Sequence, residues 1–339
     1  MTNSSGRLLP KNLVPRQRIE NATLWDLGCT LLHQLHAEPA QGSYLGTQQH
    51  LRLFNVLSDE LRRRADVIEN RLAPRHLINF FGFTHYCTAN FGLPMAGAVY
   101  LDVGCGSIQP FGRMFAHVLA GARTAYCLEL DPVQDPVEAV SYLARVVEAV
   151  VIDPKTVFGP YPIKGRDCLA NIADFDLARL AAGDPGGVPE GRLVYLQRSA
   201  TDTGLPDGSV DVVVSNSFLE HVPDADAVLA ELARVTKPGG YALHGIDASD
   251  HRWYARPELS RLEYLTVASN EPIVFECNRL RIPEFERLFD RHGFDVKVRW
   301  PNPPVPIPPE LRERLQPPWR DLPDEELNVC WCSYMLQKR

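Results

Sequence analysis

The stretch YLDVGCGSIQPFG, Tyr100–Gly112, runs from an apolar segment directly into a turn that contains Gly104 and Gly106. The apolar residues predict a buried strand, and residues 111–119 predict a helix after the turn. Glycine allows a tight turn and a close approach of a ligand to the backbone, so this turn is a candidate binding loop. Position 109 is glutamine, and the G-x-G-x-x-G pattern of dinucleotide sites is therefore broken.

Two acidic positions sharpen the prediction for this loop. Asp102 stands just before the turn, where a carboxylate would repel a phosphate but attract an ammonium group. Glu129 ends the next apolar segment, where an acid can accept hydrogen bonds from both hydroxyls of a ribose. Asp131 competes for that role, and we favour Glu129 for its position relative to the glycine turn. Asp102 and the broken glycine pattern argue against a nicotinamide oxidoreductase.

Apolar segments alternate with helical ones along the rest of the chain. After the first strand they are TAYCLEL (124–130), RLVYLQRS (192–199), VDVVVSNS (210–217), YALHGID (241–247), FDVKVRW (294–300) and NVCWCSYMLQKR (328–339). This alternation predicts an α/β fold, a Rossmann-like seven-stranded sheet that is mostly parallel, with helices on both faces and a late reversed strand pair. The proline-rich connection 301–326 is expected to lack regular structure.

The chain divides into an N-terminal part and a main domain. Residues 1–97 are predicted to form a tail and a helical cap, and residues 98–339 the main domain. The interval after the second strand exceeds the roughly 10–15 residues that one crossover helix needs, which predicts a helical insertion at about 133–191, on the substrate side. The aromatic segment 76–95 is expected to pack in the core, with a substrate lid or a dimer interface as alternatives.

Composition and charge exclude several classes of protein. The chain has 339 residues, 35 basic and 42 acidic, with a net charge of −7, which argues against a nucleic-acid partner. Its eight cysteines form no C-x-x-C pair and no zinc-ligand spacing, so we expect reduced thiols and no metal. No signal-type segment and no apolar run of about 20 residues is present, which predicts a cytoplasmic protein without a membrane span.

Three motifs together resemble a known family. DVGCG (102–106), LPDGSVDVVVSNSFLEHVPD (205–224) and ELARVTKPGGYALH (231–244) occur in the order and spacing of the Rossmann-like (class I) S-adenosylmethionine-dependent methyltransferases. The resemblance covers residues 99–245. It departs from the family at Ile108, where a third glycine is frequent, and at Ser199-Ala200-Thr201, where an acidic residue often reaches the adenine.

The resemblance implies a cofactor and its contacts. The cofactor would be S-adenosylmethionine, with its methionine part beside Asp102, Gly104 and Gly106, its ribose on Glu129, its adenine beside Ala200 and Thr201, and its homocysteine end at Ser215. The segments HGIDASDHRW (244–253) and CNRLRIPEFERLFDRHGFDV (277–296) resemble bacterial methyltransferases of polysaccharide, glycan or specialised-metabolite biosynthesis. A saccharide or other small-molecule acceptor is therefore expected.

Histidines are the candidates for acid–base chemistry, because a hydroxyl acceptor benefits from a general base near neutral pH. His221 follows the fourth strand and His251 the fifth, and the carboxyl ends of parallel strands converge. His251 is the first choice, since Asp247 and Asp250 could orient it. His221 could equally cap or pack its helix, and His244 is expected to be a core residue.

Basic and aromatic residues near these histidines suggest acceptor contacts. Arg252, Trp253 and Tyr254 would suit an anionic or sugar-like acceptor, and Arg279 and Arg281 an acidic group, although surface loops explain all of them as well. The sequence thus predicts methylation of a hydroxyl group. Methylation of nitrogen or carbon, and a non-catalytic scaffold that binds the cofactor, are the alternatives, and a homodimer is compatible with the N-terminal segment.

Overall fold

The computed structural model describes residues 83–84, 86–152, 171–254, 256–268 and 277–339. The predicted N-terminal helices and residues 153–170 of the insertion lie outside these ranges. Within the described ranges, no helix combines the length and the apolar character needed to cross a membrane.

A seven-stranded sheet forms the centre of the molecule. Its strands are β1 (Val99–Val103), β2 (Thr124–Glu129), β3 (Leu193–Gln197), β4 (Val210–Asn216), β5 (Thr236–Asp247), β6 (Phe294–Pro301) and β7 (Trp331–Lys338). They are arranged in the order β3-β2-β1-β4-β5-β7-β6. The first five are parallel, and β7 runs antiparallel to both β5 and β6. The predicted mostly parallel sheet with a late reversed pair is confirmed.

Helices connect these strands. The α-helices are α1 (Gly112–Leu119), α2 (Pro136–Ile152), α3 (Leu177–Ala181), α4 (Ala225–Val235), α5 (Ile282–Arg291), α6 (Pro309–Arg314) and α7 (Asp324–Leu327). Local sequence explains where several begin. The Asp224 side chain caps α4 by accepting the Ala227 N–H at 2.9 Å, and Glu284 in the first turn of α5 accepts the Arg281 N–H at 2.8 Å.

The alternation of side chains in β1 separates two cores. Tyr100 packs on one face of the sheet with residues of α1, α2 and α3. Leu101 packs on the other face with residues of α4 and α5. Both faces of the central strands are therefore covered, as the continuous apolar segments predicted.

Strand order also fixes where a ligand can bind. From β1 the chain builds outward through β2 and β3, and it then returns to β4 on the other side of β1. In open parallel sheets the crevice lies at this switch point, outside the carboxyl ends of the strands. The glycine turn follows β1 directly, so it lies at that edge.

The expectation for the proline-rich connection was wrong. Residues 301–326 contain α6, most of α7 and a 3-10 turn at Trp319–Asp321. Pro309 occupies the start of α6, where a missing N–H is harmless, and residues 310–314 contain no proline. These elements enclose a third, smaller core, in which Leu311 and Trp319 pack against Leu265.

The insertion after β2 and the aromatic segment 76–95 both contribute to the core on the Tyr100 face of the sheet. Within the insertion, α2 and α3 form as expected, and Val147 and Leu180 belong to the core beneath them. The substrate-side position of the insertion stays a prediction. In the segment 76–95, Cys87 and Leu93 are buried in the same core, as expected, whereas Phe91 is 42% exposed.

Candidate functional site

The glycine turn after β1 is shaped by two left-handed residues. Gly104 has φ +72° and Gly106 has φ +80°, conformations that side chains with a Cβ rarely adopt. A Cβ on Gly104 would lie 2.3 Å from the Cδ2 atom of Phe218, so this glycine is required by a ring packed on the turn. A Cβ on Gly106 would meet no atom within 4 Å. The backbone at Gly106 therefore faces open space that a ligand could fill.

Glu129 connects the glycine turn to β2. Its Oε2 accepts a hydrogen bond from the Gly106 N–H at 3.0 Å, and its Oε1 accepts one from the Leu130 N–H at 2.8 Å. The competing acid, Asp131, is exposed, and its backbone carbonyl accepts a hydrogen bond from the Tyr195 hydroxyl. The Glu129 carboxylate therefore bonds directly to the turn.

Asp102 is fully buried beside the turn. Its Oδ2 lies 3.2 Å from the Arg113 Nε, and within the described ranges neither carboxylate oxygen makes a hydrogen bond. Burial raises the pKa of Asp102 to about 6, although the Arg113 charge opposes this shift. The positive charge that we expected a ligand to bring is thus already supplied by Arg113.

Gln109 was missed as a candidate by the sequence interpretation, which noted only that this position is not glycine. Its amide nitrogen and oxygen are both buried and lack a partner among the described residues. A buried amide without partners carries a free-energy penalty unless a ligand or water satisfies it. Its position between Gly106 and α1 makes it a second polar group at the turn.

The remaining predicted cofactor contacts lie at the ends of β3 and β4. Ala200 is buried, and Thr201 is exposed with its hydroxyl 2.7 Å from that of Ser199. Ser215 is fully buried, and its hydroxyl lies 2.8 Å from the Nδ1 of His244. His244 stacks on Phe289 at 5.8 Å and is the core histidine that the sequence suggested. Burial lowers its pKa to about 3, so its ring is neutral.

A second polar group gathers at the carboxyl end of β5. The Nε2 of His251 lies 3.5 Å from the Oδ2 of Asp247. The Tyr254 hydroxyl donates to the same oxygen, and Ser249 donates to Oδ1 through its hydroxyl and its N–H. Asp247 therefore accepts hydrogen bonds from Tyr254 and Ser249 and lies within ion-pair distance of His251, whose Nε2 makes no hydrogen bond within the described ranges. The role of Asp247 in orienting His251 stays a prediction.

Asp250 does not share this role, contrary to our expectation. It pairs with Arg252, whose Nε and Nη2 lie 2.9 Å and 2.6 Å from its two oxygens. Trp253 is also engaged, because the Arg261 guanidinium lies 4.1 Å from its ring centroid. The charged and aromatic side chains at 252 and 253 thus stabilise their own loop.

His221 and Cys277 complete the group around His251. The His221 residue lies at the surface with its ring half-buried, and the ring centroid lies 4.7 Å from that of His251. Ligand atoms of His221, His251 and Cys277 all lie within 4.8 Å of one another. The structure therefore brings together all three predicted catalytic residues and adds a thiol that the sequence did not indicate.

Electrostatics differ among these groups. Burial alone would lower the pKa of His251, but its contacts with Asp247 and Cys277 raise it to about 11. Burial opposes ionisation of Asp247, yet hydrogen bonds from its neighbours hold its pKa below the ordinary value. Burial raises the pKa of the Cys277 thiol. The isolated chain at neutral pH thus holds an imidazolium–carboxylate pair beside a neutral thiol.

Glu220 is another residue that the sequence interpretation missed. Its Oε1 accepts the Asp247 N–H at 3.1 Å, and its Oε2 is buried without a partner in the described part of the chain. Burial raises the pKa of this carboxyl to about 8. The only sequence signal was its place beside His221 at the end of β4.

Arg281 was considered for an acidic acceptor group, and this interpretation was wrong. Its side chain is fully buried, and it donates to the backbone carbonyls of Ala248, Leu327 and Val329 and to the Tyr264 hydroxyl. Arg281 therefore joins the loop after β5 to the segment before β7.

Residues 172–244 match the model of a methyltransferase domain family. Over 77 residues, 22% of this chain, the protein is 39% identical to a ubiquinone/menaquinone biosynthesis C-methyltransferase of Caulobacter sp. strain K31, of which the match covers 30%. It is 38% identical over 92 residues, 26% of this chain, to an arsenite methyltransferase of Aquipseudomonas alcaligenes, of which the match covers 24%.

The chain spans about a quarter to a third of the length of these two relatives. A solved S-adenosylmethionine-dependent methyltransferase from Mesorhizobium loti superimposes with a TM-score of 0.38 at 16% identity, covering 75% of this chain and 98% of that one. The superposition is loose, so the fold class rests on the strand order. Residues 172–244 thus resemble a methyltransferase domain, and the strand order gives the α/β fold class.

Proposed function

We propose that this chain transfers a methyl group from S-adenosylmethionine to a hydroxyl group of a small-molecule or saccharide acceptor. The observation that carries the proposal is the Glu129 carboxylate, which the Gly106 N–H holds at 3.0 Å. This contact places an acid that can accept ribose hydroxyls beside an open backbone turn, at the switch point of the sheet.

The residues around the turn fit such a cofactor. A carboxylate offers about four lone-pair positions, and Glu129 uses two of them for backbone N–H groups. The turn itself is open at Gly106, and Gln109 has an unsatisfied amide. A ligand with hydroxyl groups and a polar tail would satisfy these groups.

The family resemblance supplies the remaining cofactor contacts. The methionine part would lie at Asp102, Gly104 and Gly106, the adenine at Ala200 and Thr201, and the homocysteine end at Ser215. Because the Ser215 hydroxyl is engaged by His244, we expect Ser215 to contribute through its backbone. The bound cofactor supplies a methyl group on a positively charged sulfur, so the bond to be broken is already activated.

The acceptor would lie at the carboxyl ends of β4 and β5. Methyl transfer is an in-line displacement, and its rate depends on holding the acceptor oxygen in position. His251, which lies 3.5 Å from the Asp247 carboxylate, is suited to position that oxygen. His221 is the exposed member of the pair, so it can take the hydroxyl proton and release it to water. We therefore propose His221 as the base and His251 with Asp247 as the positioning pair.

Methylation of carbon is the second candidate, and the named C-methyltransferase relative favours it. The two candidates differ in the product formed from an acceptor that offers both atoms. A panel of phenolic, quinone-like and saccharide acceptors, analysed by mass spectrometry and NMR, distinguishes O-methyl from C-methyl products. The homodimer, the cytoplasmic location and the absence of a nucleic-acid partner remain predictions.

Calorimetry of S-adenosylmethionine binding tests the proposal. Replacing Glu129 by Gln removes a charge from the ribose contact. Hydrogen bonds to charged groups contribute about 1.5–3 kcal/mol, so Glu129→Gln should weaken binding by about ten- to a hundredfold. Asp131→Asn is the matched control, because its side chain is exposed two positions further on.

Binding by the wild type and by Asp131→Asn, with weaker binding by Glu129→Gln, would support the proposed cofactor site. The reverse order of the two variants would move the ribose contact to Asp131. Wild-type protein that binds no S-adenosylmethionine would refute the proposed activity and leave only the fold.

A further inference from the structure

Three potential metal ligands meet near the crevice, from segments far apart in the sequence. His221 lies in the turn after β4, His251 in the turn after β5, and Cys277 precedes α5. One ligand atom of each lies within 4.8 Å of the others. The proposed methyl transfer does not require the thiol, so its presence in this cluster needs a separate explanation.

Hydrogen bonds hold the Cys277 segment against the turn that carries His221. The Asn278 amide donates to the carbonyls of Leu219 and Val222 at 2.7 Å and 3.0 Å. The Asn278 N–H donates to the Glu220 carbonyl at 2.7 Å. The backbone positions of the thiol and of His221 are therefore fixed relative to each other before any ion arrives.

A second set of contacts fixes His251. The Glu220 carboxylate accepts the Asp247 N–H at 3.1 Å, which ties the end of β5 to the same turn. The Asp247 carboxylate contacts the Nε2 of His251, so Nδ1 is the ring atom left for an ion. Histidine ligands of metals commonly hold a carboxylate on their other nitrogen, which orients the ring.

We propose that His221, His251 and Cys277 bind a single divalent ion of the zinc type. Imidazole nitrogen and thiolate sulfur suit zinc and similar ions, whereas magnesium and calcium prefer oxygen ligands. Zinc bonds of about 2.0–2.3 Å place tetrahedral ligands about 3.3–3.7 Å apart. Rotations of the side chains would bring the ligand atoms, which now lie within 4.8 Å of one another, to these separations.

Three protein ligands leave the fourth position of a tetrahedral ion open, as in catalytic rather than structural zinc sites. An acceptor hydroxyl bound there would lose its proton directly to water, because a zinc ion lowers the pKa of a bound oxygen. In the metal-bound protein this ionisation would replace the proton transfer to His221, whose ring would then be a ligand and not the base. This role for the ion rests on the proposed methyl transfer. Binding of the ion does not, and it can be tested on the chain without cofactor.

The test uses the full chain, first stripped of metal with a chelator and then titrated with Co²⁺ as a spectroscopic probe. We expect saturation at a single ion per chain, with the intense visible bands of tetrahedral cobalt and a thiolate-to-cobalt charge-transfer band. Cys277→Ser should remove the charge-transfer band. His221→Ala should weaken Zn²⁺ binding, measured by calorimetry, by at least about tenfold.

Two control variants match these changes outside the cluster. Cys330→Ser alters a buried cysteine that contacts Arg281, and His292→Ala alters a histidine that is paired with Asp226 and is 16% exposed. Both should keep the wild-type spectrum and affinity. His221 belongs to none of the buried cores, so its replacement leaves them intact and keeps the test valid if Cys277→Ser fails to fold.

The proposal is overturned if the wild type binds no ion saturably, or if the charge-transfer band persists in Cys277→Ser. It is equally overturned if His221→Ala binds Zn²⁺ like the wild type. S-adenosylmethionine binding by metal-free protein is measured separately. If the metal-free protein does not bind S-adenosylmethionine, the methyl-transfer proposal is refuted and the metal site is unaffected. If it binds S-adenosylmethionine but no metal ion, only the metal site is refuted.

Discussion

His244 should make the folded protein sensitive to mild acid. Its ring is fully buried between β4 and α5, with Nδ1 2.8 Å from the Ser215 hydroxyl and its face on Phe289. Burial lowers its pKa from the ordinary 6.5 to about 3. In the unfolded chain the same side chain is hydrated and titrates at its ordinary value.

The sign and size of the effect follow from this difference in pKa. Between the two values the unfolded state binds a proton that the folded state refuses, so stability falls as the pH decreases below 6.5 and levels off below about 3. From about pH 8 to about pH 5 the loss due to His244 is about 2 kcal/mol, because one proton of difference between the two states costs about 1.36 kcal/mol per pH unit.

Urea unfolding of the wild type and of His244→Asn at the two pH values measures this contribution. Asparagine keeps a hydrogen-bonding group near the Nδ1 position but does not titrate. The variant should be less stable at about pH 8 because a ring is lost from the core, yet it should lose about 2 kcal/mol less on acidification.

Phe289→Leu is the matched control, because it removes the same ring contact and leaves the imidazole in place. This variant should keep the acid sensitivity of the wild type. The reasoning is refuted if His244→Asn loses as much stability on acidification as the wild type does.

Other substitutions test the turn, the buried arginine and the positioning pair. Gly106→Ala should lower the free energy of unfolding by about 1–2 kcal/mol, because the backbone there is left-handed, and it should abolish S-adenosylmethionine binding. Gly104→Ala should unfold more readily than Gly106→Ala, because its Cβ meets the Phe218 ring. Equal thermal midpoints of the two variants would contradict this. Arg281→Met should lower the free energy of unfolding by about 3 kcal/mol or more, since buried carbonyls lose their donor, and a urea midpoint like that of the wild type would contradict it. Asp247→Asn should reduce kcat by about tenfold or more with little change in cofactor affinity, and an equal loss in both would place Asp247 in the cofactor site instead.

The relative position of the glycine turn and Glu129, which form the proposed cofactor half of the site, could be predicted from the sequence because it depends on local order. The glycine turn follows its strand directly, and Glu129 ends the neighbouring strand. Once apolar segments predict a parallel sheet, the carboxyl ends of those strands must meet at one edge. The same rule brought His251 and Asp247 together with His221.

The acceptor half escaped prediction because its contacts connect distant segments. Zinc-ligand spacing rules examine cysteines and histidines that are close in sequence, whereas Cys277 reaches the histidines only through the Asn278 hydrogen bonds. Arg281 resembled a surface residue because its acceptors are backbone carbonyls, which no residue pattern reveals. Asp250 was assigned to the neighbouring histidine, but the Arg252 guanidinium makes the better bidentate partner.

This difference between the two halves bears on how the acceptor would be selected. The cofactor half depends on β1, β2 and the turn between β1 and α1. The acceptor half depends on Asn278, Glu220 and Arg281, which tie the ends of β4 and β5 to the segments before α5 and β7. Substitutions of Asn278, Glu220 or Arg281 would move the side chains around His251 relative to one another and leave the glycine turn unchanged. Under the proposed function, we therefore expect acceptor preference to change independently of cofactor affinity.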